Sequence, residues 1–80
     1  MANLRSYIKE IENNIEHNQN DQAIAHCLNL IQKYPYLVDA IRFLGQAYLE
    51  SKMYAESIDC FERVISIVPD DFVSHVHLVL

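Results

Sequence analysis

The sequence predicts an all-α fold in which antiparallel helix pairs stack as an α-solenoid. Three observations carry this. Pro35 and Pro69 stand 34 residues apart, and fixed periods of about 20–50 residues mark stacked-repeat chains. Apolar residues recur at helical spacing within each period. The 80 residues hold one Gly and two Pro, too few turn formers for many short strands. The chain reads as a single domain over 1–80, with repeat one at 4–37, repeat two at 38–71 and a partial third repeat, a truncated fifth helix, at 72–80.

The first helix is predicted from Leu4, Tyr7, Ile8, Ile11 and Ile15, with Asn3 as its N-cap. His17-Asn18-Gln19-Asn20-Asp21 then breaks the apolar pattern with turn and capping residues. Ile24, Cys27, Leu28, Ile31 and Tyr34 form the second stripe, which Pro35 stops. The next unit repeats the plan. Val38, Ile41, Leu44, Tyr48 and Leu49 form one face, and the turn falls near Ser51-Lys52-Met53. Ile58, Phe61, Ile65 and Val68 form the other, ending at Pro69. Asp70 and Asp71 suit the start of a further helix, because acids favour a helix N-terminus. Phe72 to Leu80 opens that helix, with Phe72 in register with Val38 and Leu78 with Leu44.

Composition narrows the function classes. The formal charge is −5 and the six basic residues are scattered, so no basic stripe for a phosphate backbone exists and a nucleic-acid partner is not expected. No apolar run approaches the roughly 20 residues of a membrane span, so no membrane partner is expected. Cys27 and Cys60 are too few for a disulfide scaffold and form no C-x-x-C pair. With no apolar leader after Met1, the expected compartment is the cytosol.

The second unit resembles the tetratricopeptide repeat, whose signature opens W-x2-L-G-x2-Y. This chain has Ile41-x2-Leu44-Gly45-x2-Tyr48, followed by Tyr54, Ser57, Phe61, Val64 and Pro69 at the places the family fills with Tyr, small, aromatic, small and Pro. The first unit keeps Tyr7, Ala23, Leu30 and Pro35. It departs at Glu10-Ile11, where Leu-Gly is expected, and at Asn14, where the Tyr falls. A wider crossing of its first helix is the expected consequence. The resemblance implies a protein-interaction scaffold with a protein or peptide as partner.

By the same resemblance, the first helix of each pair lines a concave groove. Its candidate contact residues are Arg5, Ile8, Lys9 and Glu12 from the first unit, Asp39, Arg42, Phe43, Gln46 and Glu50 from the second, and Val73, Val76 and His77 from the third. Phe43 and Arg42 are the residue types that most often anchor binding, and packing on the neighbouring pair is the competing role for Phe43. The Lys/Asn clamp with which some relatives hold acidic C-terminal tails is missing, since Ile8, Glu12 and Phe43 stand at its places.

No catalytic constellation, cofactor loop or metal set is visible, and the chain is not expected to be an enzyme. The sole glycine, Gly45, falls inside a predicted helix and makes no phosphate loop. His75 and His77 are two apart and diverge on a helix, as do the adjacent His26 and Cys27. Cys27 and Cys60 read as small core residues, and Asp59 and Glu62 as a solvated face. Two other roles stay open. The apolar stretch 72–80 suits self-association, making the chain an assembly module and homo-oligomer. Alternatively, these repeats are an accessory segment of a larger multi-domain protein.

Overall fold

The computed structural model describes residues 4–71 and 74–76. Four α-helices follow one another: α1 (Leu4–Glu16), α2 (Asn20–Lys33), α3 (Val38–Glu50) and α4 (Tyr54–Ile67). Residues 74–76 are again helical. Short loops join helices that pack on one another, so neighbours run antiparallel. The expected all-α solenoid of helix pairs is therefore the observed fold. Asn3, expected as the cap of α1, lies outside the described residues.

The backbone repeats in detail. Leu4 and Val38 open the first helices, Asn20 and Tyr54 the second, so each start recurs 34 residues on. The turns match as well. Asn18 and Lys52 both sit in the left-handed region, at φ 59° and 63°. The N–H of Gln19 donates to Asn14 O at 2.7 Å, and that of Met53 to Tyr48 O at 2.8 Å. Asn18 and Lys52 likewise donate to Ile15 O and Leu49 O. These are Schellman closures, which satisfy the last carbonyls of α1 and α3. The turn residues expected to cap α2 thus act on the end of α1: Gln19 precedes α2 but makes no side-chain cap bond. The prolines act as expected, holding Tyr34 and Val68 out of the helical region at φ −130° and −127°.

The core lies between the helices of each pair and between the pairs. Ile11, Ile15, Ala23, Cys27, Leu30, Ala40, Ile41, Leu44, Ala47, Cys60, Phe61 and Val64 are buried. This corrects the stripes predicted for α2 and α4. Leu28, Tyr34, Ile58 and Val68 were expected to face inward and are instead exposed. The inward seam keeps Cys27 and Phe61 from the predicted stripes and adds Ala23 and Leu30 on α2 and Ser57, Cys60 and Val64 on α4. Small residues at Ala23, Cys27, Ser57 and Cys60 leave room between the helices for Leu30 and Phe61, and Leu28 and Ile58 sit on the flank.

Gly45 shows the closest approach. A Cβ there would stand 2.9 Å from Phe61 Cζ and 3.1 Å from Cys60 Cβ. Beside it the Ser57 hydroxyl donates to Gly45 O at 2.8 Å in a buried setting. At the matching places of the first unit, Ile11 and Cys27 are both fully buried. α1 and α2 are in less extensive contact than α3 and α4.

Candidate functional site

The first helices of the two pairs, α1 and α3, lie side by side and share a solvent face. Arg5, Ile8, Lys9 and Glu12 of α1 line a shallow open groove with Leu37 and Asp39 at the start of α3. Helical geometry explains the set, since 5, 8, 9 and 12 fall on one face at spacings of three and four. Five of the candidate residues are thereby brought together. Leu37 joins them from the inter-helix loop, where an apolar residue before a helix start gave no groove signal.

The floor is apolar and the rim charged. Ile8 is half-buried against the core, while Arg5, Lys9, Glu12 and Asp39 are exposed. Two cations and two carboxylates around an aliphatic floor suit a segment of mixed charge with an apolar side chain.

The remaining candidates divide. Phe43 is half-buried and packs on the core, so most of its surface serves the fold. Gln46 is half-buried and Glu50 exposed on the same helix. Arg42 is engaged within the chain: Nη1 donates to Asp39 Oδ1 at 3.0 Å and Nη2 to Asp71 Oδ1 at 2.8 Å. It acts as a strut between α3 and the segment after α4. Val76 is helical and half-buried. Val73, His77 and most of the apolar stretch 72–80 lie outside the described residues.

Asp71 completes that strut. Its Oδ2 accepts the Ser74 N–H at 3.0 Å, so it caps the helical turn at 74–76 while its other oxygen holds Arg42. Burial pushes its carboxyl pKa up, but the bonds from Ser74 and the Arg42 charge outweigh this and hold it below the ordinary value. The acidic N-terminus read from Asp70 and Asp71 is thus realised through Asp71. Its partnership with Arg42, 29 residues away, had no local signal.

The other titratable residues have structural settings. Burial pushes the Cys27 thiol up to about 12, with Cys60 adding to it. Burial and Asp59 push Cys60 up to about 11, against the opposing Arg63. Neither thiol is activated. His26 meets Tyr7 edge-on at 5.3 Å between ring centres, bridging α1 and α2, with Glu10 Oε1 3.8 Å from its Nε2. Among the described residues no three His, Cys, Asp or Glu gather as a metal set, and no helix is long and apolar enough to cross a membrane.

Residues 38–71 match the family model of the tetratricopeptide repeat. The match supports the resemblance read from Leu44, Gly45, Tyr48, Phe61 and Pro69. Repeats of this kind are generally protein–protein interaction modules, and typically scaffolds without enzymatic activity. No curated protein and no solved structure matches the chain.

Proposed function

We propose that this chain, whose residues 38–71 match the tetratricopeptide repeat, holds a peptide or protein segment in the groove between α1 and α3. The observation that carries the reading is the convergence of Arg5, Ile8, Lys9, Glu12, Leu37 and Asp39 on one open, apolar-floored groove. The ligand it suits presents an acidic group to Arg5 and Lys9, a basic group to Glu12 and Asp39, and an aliphatic side chain to Ile8. A wholly acidic tail does not fit, because Glu12 and Asp39 stand in its path and the net charge is −5.

A displayed library of random 12-residue peptides, panned on the 80-residue chain, tests this. Selected binders are expected to lose at least about tenfold in affinity to Lys9→Glu and to Ile8→Ser. Panning that yields no saturable binder, or binders indifferent to both changes, overturns the proposal.

A further inference from the structure

α1 carries its charges in an order that works against its own stability. Arg5 stands in its first turn and Glu16 in its last, with no acid at the start and no base at the end. The helix macrodipole favours the reverse, and α2 has it, with Asp21 in its first turn and Lys33 in its last. The spacing compounds this. Arg5 and Lys9 are four residues apart and both positive, and Glu12 and Glu16 are four apart and both negative. Like charges at that spacing are neighbours on a helix and repel. All four side chains are exposed, and none of them forms an ion pair among the described residues. Glu10, the remaining charge of α1, faces His26 instead. Exchanging Lys9 and Glu12 would turn both repelling pairs into attracting ones without altering composition.

These charges lie along the α1–α3 groove. Arg5, Lys9 and Glu12 line it. Glu16 continues the same face four residues on and shares an adjoining hollow with Lys9 and Glu12. From Arg5 to Glu16 the face runs about 16 Å, at about 1.5 Å per residue, from a basic end to an acidic one. α3 reinforces the gradient. It runs parallel to α1, since each is antiparallel to α2. The two helix dipoles therefore add, positive at the Arg5 end and negative at the Glu16 end. Glu50 ends α3 as Glu16 ends α1. Asp39 runs against the gradient, and Arg42 at 3.0 Å offsets part of its charge. Lys52, just past the end of α3, is the cation near the acidic end.

We infer that the segment held in this groove is charge-segregated and lies along α1 rather than across it. Its acidic side chains gather opposite Arg5 and Lys9, its basic ones opposite Glu12 and Glu16, and an aliphatic side chain between them meets Ile8. An extended chain covers such a face in about five residues, at about 3.3 Å each. An alternating order of the same residues sets half of its charges against like ones, whichever way the chain runs. α1 thus forgoes intrahelical pairing that would stabilise it and keeps its charges for a ligand. This order of charge presupposes that the groove is the binding site, and it adds how the bound segment is arranged.

The test uses the 80-residue chain and two five-residue peptides of one composition, blocked at both ends: Glu-Glu-Leu-Lys-Lys and Glu-Lys-Leu-Glu-Lys. Binding is read from backbone amide NMR shifts. At low salt the first peptide is expected to bind at least about fivefold more tightly than the second, with shifts centred on α1 and α3 and a preference that shrinks as salt rises. In Lys9→Glu/Glu12→Lys the charges of α1 alternate, and the preference is expected to reverse. Both positions are exposed and the exchange removes two repelling pairs, so this variant is expected to melt at or above the temperature of the parent chain. Equal binding of the two peptides, or a preference that survives the exchange, overturns the order of charge and leaves the groove reading standing. So does failure of both peptides where panning yields binders. If panning also yields none, both readings fall. A variant that melts below the parent overturns the order of charge too, because the parent order would then be the stabilising one.

Discussion

The two helix pairs have the same backbone and opposite solutions to filling it. In α3–α4 the first helix gives up its side chain at Gly45, and the second supplies Phe61 into the space. In α1–α2 the first helix supplies Ile11 and the second answers with Cys27, both fully buried. Bulk has moved from one helix to its partner with the register unchanged. The seam needs one large and one small side chain, and which helix carries which is free. The pair built on Gly45 and Phe61 is also the one in more extensive contact: α3 and α4 share more packing than α1 and α2.

The sharpest way to break this comparison is to put the first unit's choice into the second. Gly45→Ile alone drives a branched side chain into the Phe61 ring and is expected to cost about 3 kcal/mol or more. Adding Phe61→Cys installs the whole pair and is expected to restore at least about half of that loss in urea unfolding. If the double variant is no better than the single, the exchange is not what relates the two units.

The junctions after the units differ too, and here the expected effect is smaller. Leu37 precedes α3 without a side-chain cap, whereas Asp71 at the matching place caps Ser74 and holds Arg42. Asp71→Asn keeps an oxygen for the Ser74 N–H but loses the charge that holds Arg42, and is expected to cost about 1 kcal/mol at neutral pH. The sign of the pH dependence follows from the lowered folded pKa. The stability from Asp71 is complete above the ordinary carboxylate range and is lost as pH falls through its folded value. In acid the variant and the parent should therefore converge. Denaturant midpoints measured between about pH 7 and pH 2 check this, and a gap that persists at the acid end refutes it.

Ser57 and Ala23 occupy matching places, and only Ser57 bonds across, to Gly45 O. Ser57→Ala is expected to cost about 1 kcal/mol, read as a lower urea midpoint. An unchanged midpoint would make the bond incidental. The smallest effect belongs to the turns. Lys52 and Asn18 share the left-handed conformation, which Asn tolerates better than Lys. Lys52→Gly is expected to stabilise the chain by about 0.5–1 kcal/mol, and Asn18→Gly by less. A larger gain at Asn18 would contradict the shared geometry of the turns.

Much of this was legible in the residues. The proline period placed the helices, and Leu44-Gly45-x2-Tyr48 and Phe61 stood out as the pattern of the second unit. Arg5, Ile8, Lys9, Glu12 and Asp39, read as one face, do line one groove. The inward seams of α2 and α4 were read in part: Cys27 and Phe61 were placed inside and are buried, while Leu28, Tyr34, Ile58 and Val68 were placed inside and are exposed. Hydrophobicity favours Ile24, Leu28 and Ile58, but axis approach favours Ala23, Cys27 and Ser57 beside them, and only packing decides between those demands. The left-handed Lys52 was hidden because nothing about a lysine announces that conformation. The Arg42–Asp71 bridge was hidden because it joins elements distant in sequence.

The exchange between Gly45/Phe61 and Ile11/Cys27 bears on how such units change over time. Weighed one position at a time, Ile11 and Cys27 each look like a lapse from the pattern of the second unit. Weighed together, they are a single compensated step, because either change alone leaves a clash or a void. Inheritance at this seam is then by couples: the two positions are free to drift only in tandem, and a chain built of many such units could carry either couple in any of them.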